Sequence, residues 1–410
     1  MQPDVTDQFE IVALSGTSGG AICATLAWSA LLDGVPTVAA PRLEKFWKAN
    51  SASSPFERMV NSSLLAANRL ADYIAMPALS PYDNPGASMG LNYFRSLLVD
   101  SIDFDRLSAL AADQGDRAPV LLLGGVDVLS GDFHAFDSRK GEISADAILA
   151  SAAIPTLFQT VHVDGGAYWD GLFSQNPPVH DLLDADPDEI WVIQINPKAR
   201  ATEPRSMTEI VDRRNELSGN LSLYQELRHI EEIDQLIEDG FLVGGKYRPT
   251  TLRLMEMERS PTSQVHGTVS KLNRDPDFLA DLIDRGGRRA DLFSASLSFE
   301  RAWVAGDVDG LLEFFAADCE FRSQAPFAEL PVSRGLDAVR AFVGERLATR
   351  VKVDLTHTQV ASDRIEWRVR STSAAGGRRI EGSAVVEIRN GKVVAFHVGP
   401  VGAPSTPGPG

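Results

Sequence analysis

The chain has 410 residues, is 44% hydrophobic and 23% charged, and carries a formal net charge of −17. That length argues for more than one domain, and that composition for globular material with enough apolar residues for sizeable cores. The negative balance speaks against nucleic acid as a partner and against simple electrostatic docking onto anionic membranes.

Two cysteines, Cys23 and Cys319, stand far apart, so no disulfide framework is expected and a reducing, cytoplasmic setting is. There is no C-x-x-C and no Cys/His cluster; neither a metal nor any other cofactor is expected. No run is apolar enough over a sufficient length to span a membrane. The start, MQPDVTDQFE, has neither the basic nor the apolar region of a signal peptide.

In chain order, the first informative stretch is FEIVALSGTSGGAICATLAW, Phe9 to Trp28. An apolar run suited to a buried strand turns sharply at Gly16-Thr17-Ser18-Gly19-Gly20 and continues as a helix of small residues. This is the grammar of a nucleophile elbow. Gly16 and Gly20 are expected to give room for the turn, Ser18 to present its hydroxyl, and the Gly19 N–H to stabilise an oxyanion from the helix start.

Residues 29–115 read as mostly helical: a helix from Pro41, another from Phe56 to Ala75, a loop through Pro77, Pro81, Pro85 and Gly86, then helices at Leu91–Val99 and Phe104–Ala111. This excursion suits either a cap over a site or a plain crossover. Pro119–Val126 is an apolar strand, and Asp127–Asp137 a strand pair turning at Ser130-Gly131-Asp132. Gly124-Gly125 lacks the further glycines and Lys of a phosphate loop. Ser144 is a plausible cap for a helix ending before Pro155.

Val161–Leu183 holds two Asp-Gly pairs. Asp164-Gly165 reads as a hairpin turn. Asp170-Gly171, followed by Asn176-Pro177-Pro178, falls at a strand-to-loop boundary, where α/β sites are built. Glu189–Ile195 is a buried strand, Ser206–Asp239 an amphipathic helix with a break near Gly219, Gly244–Met257 a last strand, and Leu272–Phe293 a last helix. From Ser294 the order changes to helices first (Ser298–Phe315, Leu336–Leu347), then strands at 352–360, 365–371, 380–389 and 392–398, with an Asn390-Gly391 hairpin. The end, GAPSTPGPG, has the composition of a disordered tail.

A serine in an elbow needs a base. Of His134, His162, His180, His229 and His266, none lies in a convincing post-strand loop; His180 is the least implausible. The alternative is a carboxylate that takes the proton itself, which requires burial and a raised pKa. Asp170, beside Trp169, meets that description.

The segments SGTSGGA (Ser15–Ala21), ASAAIP (Ala150–Pro155) and DGGAYWDGLFSQNPP (Asp164–Pro178) together resemble the patatin-like phospholipases, and LNRDPDFLADLIDRG (Leu272–Gly286) resembles the C-terminal end of bacterial members. The resemblance covers about residues 9–291. It implies a three-layer α/β/α sandwich and lipid acyl hydrolysis by a Ser/Asp dyad, with Ser18 as nucleophile, Asp170 in its Asp170-Gly171 pair as base, and Gly16, Gly19 and Gly20 forming the elbow and oxyanion site. The family's glycine-rich oxyanion loop, on a strand-to-helix connection before the elbow, has no counterpart here. Either the sequence as given starts late, or it is a natural remnant with weak or no activity that serves as a binding or dimerisation protein. Residues of about 294–400, with FFAADCEF (Phe314–Phe321) and RGLDAVRAF (Arg334–Phe342), are similar to SnoaL-like or NTF2-like α+β cones, which host catalysts and plain dimerisation modules alike. Asp354, Trp367, Glu387 and His397 are candidates to line the cone's pocket. The expected layout is therefore 1–291 (with 206–291 as a helical C-terminal part), 294–400 and a tail at 401–410. The expected partners are a lipid or ester substrate, a transient membrane-surface contact and a second copy through the C-terminal domain.

Overall fold

A computed structural model describes residues 8–71, 80–196, 198–200, 202–243, 248–257, 268–324, 327, 330–348, 352–361, 363–372 and 380–401. The tail at 402–410, His266 and parts of the expected segments at 56–75 and 244–257 lie outside the described residues. The chain forms two compact units, each with its own sheet, in a mixed α/β architecture.

The first unit holds residues 1–187, 198–249 and 262–283. Its strands are β1 (Ala13–Gly16), β2 (Val120–Asp127), β3 (Phe133–Asp137), β4 (Val161–Val163) and β5 (Gly166–Asp170). β1 runs parallel to β2 with Gly16 opposite Leu123, and β5 runs antiparallel to β2 with Asp170 opposite Gly125. Two partners of β2 thus end two residues apart along it. β4 and β5 turn on Asp164 and Gly165, both at positive φ, as the Asp-Gly signal predicts.

Helix α1 (Gly19–Leu32) is buried on nearly every side, which its run of small and aliphatic residues permits. Trp28 in it donates to the Pro119 carbonyl at 2.7 Å, fixing where β2 begins. Around it pack α2 (Ala39–Asn50), α4 (Pro85–Ser101), α5 (Phe104–Gln114) and α6 (Ala145–Ser151), sharing a core that includes Ile22, Trp28, Phe46, Leu98, Leu121, Phe136 and Ile148, whereas the described residues of α3 (Pro55–Ala71) add nothing to that core. Pro85 and Gly86 do not belong to a loop: Asn84 caps α4 by accepting the Gly86 N–H, and Pro85 takes the first helical position, where its missing N–H costs nothing. Ser144 caps α6 through the Ala147 N–H.

The expected break near Gly219 is absent. α7 (Met207–Glu238) is one helix opened by a reciprocal Ser206/Glu209 capping box. Gly219 is there for packing, since a Cβ on it would lie 2.6 Å from Leu172 Cδ1 and 2.7 Å from Asn176 Nδ2.

The second unit holds residues 188–197, 250–261 and 284–410. Its eight strands are β6 (Glu189–Gln194), β7 (Thr251–Glu256), β8 (Phe315–Ser323), β9 (Leu330–Arg334), β10 (Lys352–Ala361), β11 (Arg364–Thr372), β12 (Ile380–Arg389) and β13 (Lys392–Gly399), in the order β6-β7-β10-β11-β12-β13-β8-β9. The strands at 189–194 and 251–256, expected within the first domain, pair instead into this sheet through the parallel β7–β10 register. The sequence boundary near 291–294 falls inside one continuous helix, α8 (Pro276–Ala305). Nothing between 284 and 305 breaks it, and Phe293, Leu297 and Glu300 recur on its buried side. α9 (Val308–Leu312) and α10 (Leu336–Ala348) complete the unit.

Candidate active site

Ser18 stands between β1 and α1 with φ 58° and ψ −126°. Positive φ in a residue with a Cβ is strained and persists only where the surroundings impose it. Two features impose it here. Gly16 lies so close to the next turn that a Cβ would sit 2.3 Å from the Gly20 carbonyl oxygen. The Ser18 N–H donates to Ser151, to both its carbonyl oxygen and its Oγ at 3.1 Å. Gly20 differs from its expected role: a Cβ there would meet open space, so the turn does not require a glycine at 20. Gly19 opens onto similar space. Its N–H occupies the first helical position, where α-helix geometry supplies no acceptor.

Asp170 ends β5 and is completely buried. Its backbone N–H donates to the Ala153 carbonyl at 3.0 Å, and its Oδ1 accepts the Leu172 N–H at 2.9 Å. Oδ2 is buried and has no partner within hydrogen-bond geometry. Burial pushes the carboxyl up from its ordinary 3.8 to about 6, against the Leu172 N–H, the Lys271 charge and the Ser18 hydroxyl, which favour the ionised form. Ser18 lies near enough to this carboxyl to favour its ionised form as a hydrogen-bond donor, although its geometry to Oδ2 falls short of a full hydrogen bond.

Both groups hang from one segment. Ser151 holds the Ser18 backbone and Ala153 holds the Asp170 backbone, so the ASAAIP stretch is a strap between elbow and acid. Glycines let the remaining pieces close up. A Cβ on Gly171 would lie 2.8 Å from the Gly124 backbone, and one on Gly124 would lie 2.5 Å from Thr17 Oγ1. Ser15 Oγ donates to the Pro178 carbonyl at 3.0 Å, tying β1 to the turn after Asp170. Gly124 is thus a spacer in a strand, a role that glycine inside a strand signals. Ser151 and Ala153 were visible only as part of the ASAAIP segment, not in this role, because what they hold lies far away in sequence.

His180, the least implausible histidine base, is exposed. Its N–H donates to Glu226 Oε2 at 3.0 Å and its ring lies 6.0 Å from that of His229; neither contact involves Ser18 or Asp170. His134 sits against Phe136 and Tyr168. Among the described residues, no group of three or more His, Cys, Asp and Glu could hold a metal ion.

In the second unit the four pocket candidates do not converge. Trp367 is opposite Ala384, on the face that carries Phe396, whereas His397 is opposite Val385 and projects to the other face, as does Glu387. The Trp367 face is filled by Phe299, Phe315, Phe321, Phe342 and Phe396 in ring contact. Asp354 lies on β10, and its side chain is outside the described residues.

Residues 6–183 match the family model described as patatin-like phospholipase, and residues 297–396 that of the SnoaL-like domain. The chain therefore combines a patatin-like phospholipase domain with a SnoaL-like domain. The first relates it to lipid acyl hydrolases. No curated protein matches the chain. Among solved structures, it is similar to an NTF2-like protein of unknown function from Mesorhizobium loti (24% identity over 24% of this chain and 82% of that one, TM-score 0.22). Another is an NTF2-like protein of unknown function from Burkholderia xenovorans (19% identity, 30% of this chain and 91% of that one, TM-score 0.25). Among the described residues, no helix of the patatin-like or SnoaL-like part is long and apolar enough to cross a membrane.

Proposed function

We propose that this chain is a lipid acyl hydrolase that cleaves carboxylic esters with Ser18 as nucleophile and Asp170 as general base. The observation that carries this reading is the Asp170 carboxyl: wholly buried, raised to about 6, with Oδ2 unpartnered and the Ser18 hydroxyl beside it. A base must be ionised at working pH yet avid for a proton, and a carboxylate of this kind is both.

In the first half-reaction Ser18 Oγ bonds to the acyl carbonyl carbon while its proton passes to Asp170 Oδ2. The carbonyl oxygen becomes an oxyanion facing the Gly19 N–H and the positive end of α1. The Ser18 N–H is spent on Ser151 and is not a donor for this charge. Collapse of the tetrahedral adduct breaks the ester C–O bond, and Asp170 returns its proton to the departing alkoxide. In the second half-reaction water bonds through its oxygen to the acyl carbon as its proton passes to Asp170; the bond from Ser18 Oγ to the acyl carbon then breaks, Asp170 returns the proton to Oγ, and the free acid leaves. No step calls for a metal or organic cofactor.

A fluorophosphonate probe tests this directly. The full chain should be labelled, with the adduct on Ser18, and Ser18→Ala should abolish the labelling. Asp170→Asn should slow labelling and hydrolysis of a short-chain ester by about 10² or more, the usual worth of a positioned base. Activity that survives Asp170→Asn but is lost in His180→Ala would overturn the assignment of the base.

A further inference from the structure

Helix α3 turns an unusually apolar surface to water. Among its described residues, the buried one is polar. Asn61 is 7% exposed, donating through Nδ2 to Asn273 Oδ1 at 3.1 Å and accepting the Arg274 N–H at 3.0 Å. Glu57 accepts from Ser54 Oγ at 2.9 Å and pairs with Arg274 at 3.4 Å. Its apolar residues point outward, with Phe56 69%, Met59 58% and Val60 49% exposed. A surface helix ordinarily does the reverse. Exposed apolar residues recur on α4, where Met89 is 72% exposed and Tyr93 40%. Arg274 joins the two helices, donating to Tyr93 OH at 2.7 Å while its guanidinium lies 4.4 Å from the centre of that ring.

We propose that this α3–α4 face is the surface by which the chain settles on a zwitterionic lipid interface; the role of the lipid as substrate rests on the hydrolase reading above, whereas the docking itself does not. Three observations favour lipid over a protein partner. Phe56, Met59, Val60, Met89 and Tyr93 bear no charge, and exposed Phe and Met beside exposed Arg58, Ser62 and Ser63 suit shallow burial at the headgroup boundary. The chain's net charge of −17 repels anionic lipid, so a neutral headgroup surface is the lipid this face complements. The face is also physically continuous with the segment that holds Ser18 and Asp170. Tyr82 OH, just ahead of α4, bonds Thr160 Oγ1 at 3.0 Å, Gln159 Nε2 donates to the Pro81 carbonyl at 3.2 Å, and a Cβ on Gly90 would touch Phe158 at 3.8 Å. Residues 158–160 follow directly on the 150–155 strap.

The test is co-sedimentation of the full chain with phosphatidylcholine vesicles. The native chain should sediment with them, and the triple variant Phe56→Ser, Met59→Ser, Met89→Ser should lose about tenfold or more in apparent affinity. Val60→Asp alone should also weaken binding. These side chains already face water, so both variants should melt like the native chain. Blending phosphatidylserine into the vesicles should weaken binding, not strengthen it. Ser18→Ala should bind vesicles like the native chain, so failure of the hydrolase chemistry leaves the docking result standing. Absence of native binding to phosphatidylcholine overturns the proposal even where Ser18 is labelled normally. A native chain that instead self-associates in sedimentation velocity, and is made monomeric by the triple variant, also overturns it and assigns the face to a second copy.

Discussion

The Asp170 carboxyl sets the pH behaviour of the candidate site. With its pKa near 6, the carboxylate is the minor form at pH 5 and the dominant form at pH 7. For a base in the free protein, kcat/KM should rise through an acid limb centred near pH 6 and then level off. An acid limb at the ordinary carboxylate value near 4 would remove Asp170 from the role. The same shift has a stability consequence of definite sign. A folded-state pKa above the unfolded value means the folded state holds the extra proton between pH 3.8 and 6. Stability from this group is therefore present at low pH and lost as pH rises through that window. Asp170→Asn does not titrate and escapes the loss. Between pH 4 and pH 7 the variant should gain on the native chain by about 2 kcal/mol in urea unfolding, whatever the offset between them at pH 4. A gap that stays constant over that range would mean the carboxyl is not held up by burial.

At the scale of elements, the elbow was legible because all its determinants are local. Strand, turn and helix follow one another within twenty residues, and the glycines mark where backbones meet. The structure sorts those glycines in a way sequence spacing could not. Gly16 faces a backbone oxygen, which cannot swing aside, whereas Gly20 faces open space. Gly16→Ala should cost about 1–3 kcal/mol through forced backbone movement. Gly20→Ala should leave stability unchanged or raise it by up to about 1 kcal/mol through helix propensity. Differential scanning fluorimetry of the two variants checks this, and equal losses would contradict the packing described. Asp170 was legible as a candidate from its Asp-Gly pair and aromatic neighbours. The holding role of Ser151 and Ala153 was not, because the bonds span 133 residues to Ser18 and two of the three are accepted by backbone carbonyls that carry no side-chain signature. The continuity of α7 was hidden for a related reason. Gly219 signals a weak point to local propensity, yet what decides its identity is the contact with Leu172 and Asn176.

At the scale of the whole chain, the order of elements along the sequence misplaced two strands, and the reason is a buried charge cluster. Composition marked β6 and β7 as buried strands but could not say which sheet takes them. Arg253 on β7 is 6% exposed and divides its guanidinium between Glu189 on β6 and Glu300 on α8, with Nη1 to Glu300 Oε2 at 2.7 Å and Nε to Glu189 Oε2 at 2.7 Å. Glu300 also accepts from Thr358 Oγ1 on β10 at 2.9 Å and from Trp367 Nε1 on β11 at 2.7 Å. These are charge-assisted bonds in a site where an unpaired ion would be costly. They pin β7 beside β10 in a specific register. Arg253→Met should therefore destabilise the second unit by about 3–5 kcal/mol, the cost of leaving a buried carboxylate without its cation. Removing the carboxylate as well, in Arg253→Met/Glu300→Met, should recover part of that loss, since no buried charge then stands alone. The readout is amide hydrogen exchange of β7, β10 and β11 in the full chain: fast in the single variant, slower in the double. A fragment limited to 294–400 should behave like the single variant or worse. It keeps Glu300, lacks Arg253, and leaves the β10 edge without the strand that pairs it. If that fragment proves as protected as the full chain, β6 and β7 are additions to a sheet that does not need them.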